Sequence, residues 1–571
     1  MSASLRESAA KEEGDNSLSG QKKGAAAYLE RRREEEKVTG VVDNERAGSR
    51  LLPSTSSSLP EAGDRAATTK DGSAAVGDSA NPEDTLYFVV VVKYVRREIR
   101  SMTDRDRETF FNAVSVMQRV PSAVGQAVYG KNYYSKDYFN RLHLYYGGRA
   151  DCDHWHAGAG FVISHIAVSL MYEQSLQAIN PAIALPYWDF TQDGTFYDWS
   201  NFRNSSVFSD DWFGTAATTN PMRIATRGRF AYITTMVNAT EYSEVHNSYG
   251  MLRSPWNNDP TPFMTRSNHL LGFLNHRKPS GCRKYKQAIR KNNWMALTES
   301  FNKGAHGEIH ELLGGSWSNE ASAYANRTSP IVQPFVHLSV PLSKMLWRKG
   351  YIQCPDKCSM DVTPWEECTC TCTEDGFSGQ NSREVLHDAG VLEAGFFYDE
   401  DFNLIEDLVD KEGNAYGILP GYTKEQTETI YDEMLRVLCI PVRTGSHYGA
   451  TSTNDPTFWL IHPTFDRLWH LRRLEMGRGD DAGFDETWIP DHSCYGHNPG
   501  DIQPFHDLFL HDTTARLTQK DTPTEVEVPK HYYTNQQLYT MLKPDKMDNP
   551  YVYDNFQWPH CDIQGIYIHG Y

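Results

Sequence analysis

The sequence predicts a mainly α protein, a helical bundle with long loops and few short strands. The first observation is the run from Phe161 to Leu176, which is apolar almost all round, the pattern of a helix buried on every side. The second is a set of further helical runs, from Trp294 to Leu313, Thr423 to Leu438 and Thr457 to Arg473. The third is the scarcity of strand signals, of which Leu86 to Val92 is the clearest. No internal repeat is visible.

Residues 1–85 are rich in Ser, Ala, Gly, Glu, Lys and Arg and poor in aromatics. Such a segment cannot bury enough apolar surface to offset its ordering entropy, so it is read as disordered and polar. The folded part is expected over residues 86–571. It opens with the strand at Leu86 and a helix announced by an N-cap box at Thr103-Asp-Arg-Asp106, leading into Glu108 to Met117.

Composition removes several classes of function. A formal charge of −18 argues against a general nucleic-acid binder, because phosphate affinity rests on an excess of Lys and Arg. No apolar run approaches the roughly 18 residues that a membrane-spanning helix needs. The N-terminal residues lack the apolar centre of a secretory signal. The 10 cysteines point the other way, since five of them crowd between Cys354 and Cys372. That density suits disulfides formed in an oxidising compartment, as do the sequons at Asn204, Asn238 and Asn326. A zinc or copper-delivery site on the thiolates is the other reading of the cluster. These observations pull in opposite directions and assign no location; oligomeric state has no signal at all.

Histidine carries the chemistry. His143, His154, His156 and His165 form one group; His306, His310 and the later His462 form another. The His306-x3-His310 spacing puts two imidazoles one turn apart on one helix face. His165 lies in an apolar helix, where an unpaired imidazole is costly. Neutral imidazoles are common metal ligands and suit copper, zinc or nickel. A zinc protease would need Glu directly after the first histidine, and Gly307 stands there.

Longer segments name a family. His156 to His165, then Glu173-Gln-Ser-Leu-Gln177, then Leu185-Pro-Tyr-Trp-Asp189 resemble the first copper signature of tyrosinases, catechol oxidases and molluscan hemocyanins. His306 to Gly315 and Asn454 to Trp469 resemble the second, and Tyr551-Val-Tyr553 looks like the family's C-terminal tyrosine motif. The resemblance implies a type 3 site of two copper ions. His143, His156 and His165 would hold one ion; His306, His310 and His462 would hold the other. His154 stays open as an alternative to His156. The implied function is oxidation of catechols, and in the wider class monophenols, to ortho-quinones by dioxygen on a small phenolic substrate. A hemocyanin-like dioxygen carrier without turnover is the rival. The same resemblance has Phe161 and Phe458 packing on ligand rings, and Asp466 and Arg467 fixing the helix of His462.

Several positions depart from the family pattern. Gly307 stands where Asn often helps to polarise a water, and Glu299 is an upstream carboxylate of unmatched offset. Ile461 and Ile166 replace a frequent His and Arg. Cys152 lies four residues before His156 and two before His154, which leaves a thioether to a ligand histidine open. His310 and His462 are separated by 151 residues, far more than usual, so residues 316–445 are read as an insertion that holds the cysteine cluster.

Overall fold

The computed structural model describes residues 67–68, 73–78, 81–89, 91–271, 273–318, 333–373, 375–392, 423–479, 483–509 and 531–569. They fall into two units, Met1–Lys93 and Tyr94–Tyr571. In the first, Ala67–Thr68, Ser73–Asp78 and Asn81–Val89 pair antiparallel in chain order. The strand read from Leu86 therefore starts earlier and stops at Val89. The disordered reading of residues 1–85 lies outside the described residues over 1–66, 69–72 and 79–80.

The second unit is mainly helical, as the sequence predicts. Its helices include α1 (Asp104–Arg119), α2 (Lys136–Gly147), α3 (Phe161–Ile179), α4 (Trp294–Ser300), α5 (Gly307–Gly314), α6 (Gln333–Arg348), α7 (Lys424–Leu438) and α8 (Phe458–Arg478). Thr103 caps α1 by accepting from Asp106 N, and Thr423 forms a full capping box with Gln426 at α7. α8 stops at Gly479, whose φ of 84° is the left-handed conformation that glycine adopts without a Cβ clash. The run read as one helix from Trp294 to Leu313 is broken. α4 passes into a π-helical turn, Phe301–Ala305, before α5 begins. A wide turn of that kind does not disturb apolar spacing enough to be seen in sequence.

α3 and α8 lie at the centre of the core, and almost every residue of each is buried. Tyr172 of α3 stacks on Trp459 of α8 at 3.7 Å between ring centroids. α8 is also tied to the chain before it: Thr464 Oγ1 donates to Trp188 O at 2.7 Å, and Trp188 N donates to Leu460 O at 3.1 Å.

The two ends of this unit meet beside α8. Tyr94–Arg96 pairs in parallel with Tyr551–Tyr553, the tyrosine motif. The fully buried Arg96 donates to Glu173 Oε2 at 2.6 Å and to Asp466 Oδ2 at 3.2 Å, and its guanidinium lies 3.4 Å from the centroid of Tyr551. Both motif tyrosines donate to the same Asp466 oxygen, at 2.7 and 2.6 Å. Arg467 reaches Asn555 and Asp189. Asp466 and Arg467 thus hold α8 against both termini of the unit.

Within residues 316–445 the described parts form a second apolar cluster, built from α6, α7 and the hairpin Ile352–Gln353 with Thr371–Cys372. Three disulfides pin it: Cys354–Cys370, Cys358–Cys368 and Cys372–Cys439. The other two join distant segments, Cys152–Cys494 and Cys282–Cys561, so all 10 cysteines are paired and the thiolate metal site is ruled out.

Removing one member of a buried ion network leaves an uncompensated charge, which costs about 3–5 kcal/mol. Arg96→Met, which strands Glu173 and Asp466, is expected to lower the unfolding free energy by that order, read as a lower urea midpoint. An unchanged midpoint would mean that the network contributes nothing to holding the termini.

Candidate metal centre

The six histidines come together in two groups. The ligand atoms of His143, His156 and His165 lie within 4.8 Å of one another, as do those of His306, His310 and His462. The groups face each other across α3 and α8, with the rings of His165 and His462 4.9 Å apart and nearly parallel. His143, His165, His306 and His462 are buried, while His156 and His310 keep some exposure.

Each ring is oriented through Nδ1. On α3, His165 Nδ1 donates to Phe161 O one turn back at 2.8 Å; on α8, His462 Nδ1 does the same with Phe458 O at 2.8 Å. His306 follows the π-helical turn, which carries the Phe301 carbonyl, five residues back, to 3.2 Å from its Nδ1. His143 on α2 and His310 on α5 find their acceptors on one loop, at Ala450 O (2.6 Å) and His447 O (2.8 Å). His156 donates to the Asp153 carboxylate at 2.8 Å.

That loop leads into α8 and is itself fixed. Asp455 receives the Arg266 guanidinium on both oxygens, at 2.6 and 2.7 Å, and Asn454 receives Asn140 of α2 at 3.0 Å. Phe161 and Phe458 fill the space between the groups. Phe161 lies 4.5 Å from His165 and 5.2 Å from His306; Phe458 lies 4.0 Å from His462 and 5.3 Å from His143.

With Nδ1 engaged, three of the six Nε2 atoms are left without a partner. His143, His165 and His462 Nε2 are buried with no hydrogen bond, and His306 and His310 Nε2 stand 2.8 Å apart. Orphaned buried nitrogens are costly unless something satisfies them. Burial, helped by neighbouring imidazoles, lowers His143 and His306 to about 3 and holds His165, His310 and His462 well below the usual histidine range. Neutral imidazoles with inward nitrogens fit two copper ions, three donors each.

Other expectations are settled by where side chains lie. His154 belongs to neither group: its Nδ1 donates to Tyr495 O at 2.8 Å. Cys152 is bonded to Cys494 and has no thiol left for a thioether. Glu299 bonds Lys303 at 2.7 Å in an exposed position, and Glu308 is engaged by Ser280 and Lys284. Gly307 is required by its surroundings, since a Cβ there would lie 2.4 Å from the Asn302 carbonyl oxygen. Ile166 and Ile461 are packed into the core. Sequence reasoning did not single out Asp153, His447, Ala450 or Arg266. Asp153 did carry a signal, a carboxylate three residues before a ligand candidate; the carbonyl acceptors carry none.

Two facing histidine triads within a helical bundle form two candidate metal-binding groups. Residues 133–326 match the family model described as the common central domain of tyrosinase, a domain that implies a dicopper centre. The chain is 28% identical over 144 residues to grixazone synthase of Streptomyces griseus subsp. griseus, across 24% of this chain and 40% of that one. It is 33% identical over 123 residues to tyrosinase ustQ of Aspergillus flavus, across 21% of this chain and 30% of that one. The chain therefore matches less than half the length of either relative.

Two outcomes follow from this geometry. An unfolded histidine titrates near 6.5, whereas His143 and His306 in the fold titrate near 3. Between those values the unfolded chain binds more protons, so metal-free protein loses stability as pH falls through 6.5. Its urea midpoint is expected to be lower at pH 5.5 than at pH 7.5; equal midpoints would mean that the buried rings do not remain neutral. Separately, Gly307→Ala forces α5 away from Asn302, at a typical overpacking cost of about 1–3 kcal/mol. Its melting temperature should drop together with copper binding at the second triad. A variant as stable as the parent would remove the steric account of Gly307.

Proposed function

We propose that this protein is a dicopper oxidase that uses dioxygen to oxidise catechols to ortho-quinones. His143, His156 and His165 hold one copper; His306, His310 and His462 hold the other. The observation that carries this reading is the pair of facing triads, whose ligand atoms gather in each group and include three buried Nε2 atoms without a partner. The copper pair supplies dioxygen binding and the one-electron steps that each ion can take. Two catechols each lose two electrons and two protons, and one dioxygen accepts all four of each to leave as two waters.

The chain's own residues do the rest. Backbone carbonyls fix five ring orientations before metal arrives, so little rearrangement is needed on loading. Phe161 and Phe458, both fully buried, keep water from the ligand rings on which they pack. The partly exposed edge at His156 and His310 is where substrate enters.

Catechol is favoured over monophenol because hydroxylation needs a positioned basic water. No side chain exists at Gly307 to polarise one, and Glu299 is held by Lys303 at the surface. The names of both relatives, one a synthase and one a tyrosinase, favour turnover over carriage of dioxygen.

Purified protein is expected to contain two coppers per chain and to develop strong near-ultraviolet absorption on addition of hydrogen peroxide. It should then consume dioxygen with a catechol much faster than with the matching monophenol. One copper or none would overturn the ligand assignment. Two coppers with the absorption but no uptake would make the protein a carrier, and equal rates on both substrates would remove the catechol preference.

A further inference from the structure

One ligand differs from the other five in what its ring donates to. Nδ1 of His143, His165, His306, His310 and His462 donates to a backbone carbonyl, but Nδ1 of His156 donates to a buried carboxylate. Asp153 Oδ1 also accepts from the backbone nitrogen of His156 at 2.9 Å, so one oxygen holds both the ring and the chain that bears it. An anionic acceptor draws on the Nδ1 proton more strongly than a neutral one and makes Nε2 a better donor to a metal.

A carboxylate in such a place needs compensation, and it comes from the long segment between the second triad's ligands. Lys344 Nζ on α6 bonds Asp153 Oδ2, and Arg348 Nη2, one turn on, stands 3.5 Å from the same oxygen. Arg348 also donates to Arg149 O at 3.0 Å and to Gly147 O at 3.1 Å, clamping the chain between α2 and Asp153. The described part of the insertion therefore touches the His143–His156 connection at three residues. The disulfide from Cys152 to Cys494 holds the same connection from another segment.

We infer that α6 is a working part of the metal centre: Lys344 and Arg348 fix Asp153, and Asp153 is a positioning residue that aims His156 and strengthens it as a ligand of the first copper. The inference rests on the dicopper reading. It makes the two coppers unequal, the first being held by two rings on neutral acceptors and one on an anion.

The test is a copper(I) titration of metal-free protein against a competing chromogenic chelator, for the parent, Asp153→Asn, Lys344→Met and Lys344→Arg. The parent should bind two ions. In Asp153→Asn and Lys344→Met one of the two affinities should fall by about 10–100-fold, the usual size of such an effect. The other should hold, and Lys344→Arg should recover most of the loss. Adding Asp153→Asn to His310→Ala should weaken the one remaining copper, whereas adding it to His143→Ala should not. Equal weakening of both sites, or of neither, would overturn the inference while leaving two coppers in the parent. If Asp153→Asn does not fold, Lys344→Met and its arginine partner decide the matter alone. A parent that binds fewer than two ions would remove the dicopper reading itself and this inference with it.

Discussion

Six imidazoles can share the inside of a protein only if each has somewhere to put its one proton. Every ring here engages a carbonyl or Asp153 through Nδ1, which leaves Nε2 of His143, His165 and His462 buried and bare. Much of the surrounding structure serves that requirement. An imidazole without its acceptor would turn, or take a second proton, and either change ends its use as a ligand. The apolar packing of α3 and α8 keeps water from competing for those protons, and low polarity in turn raises the cost of leaving any of them unmet.

The acceptors come from three kinds of structure. His165 and His462 use the first turn of their own helices, where Phe161 and Phe458 supply both the carbonyl and a ring that presses on the ligand. His306 uses the π-helical turn, whose extra residue per turn suits an acceptor five positions back. His143, His310 and His156 depend on other parts of the chain. The loop before α8 serves the first two and is clamped by Arg266 and Asn140. The tyrosine motif and Arg96 hold α8 from its other side. Interactions far from the rings therefore decide whether the rings point correctly.

The helical class was legible in the spacing of apolar positions, and the histidines through the resemblance of the segments around them. Apolar positions mark α3 and α8, and a residue four positions away in a helix has a predictable direction. The break after Ser300 was not legible, since a π turn changes hydrogen bonding more than it changes the apolar pattern. Carbonyl acceptors were invisible because every residue has one. Asp153 stood in plain sight beside His156, yet its burial depends on Lys344, nearly two hundred residues on. Cysteine pairing was equally hidden: the crowding between Cys354 and Cys372 suggested disulfides, but not that Cys372 would reach Cys439 or Cys152 reach Cys494. Gly307 read as a lost side chain and is better understood as a place where the Asn302 carbonyl leaves no room.

The two long disulfides interleave: Cys282 lies inside the span from Cys152 to Cys494, and Cys494 lies inside the span from Cys282 to Cys561. A single break in the backbone anywhere from residue 152 to residue 561 therefore releases no fragment, because each side always carries one end of at least one bridge. Five of the six histidines lie within that stretch, and His143 is nine residues outside it. A protease that nicks a connecting segment would produce a two-chain molecule heavier only by the water of hydrolysis, with both triads still covalently tethered, until a reductant separates the pieces.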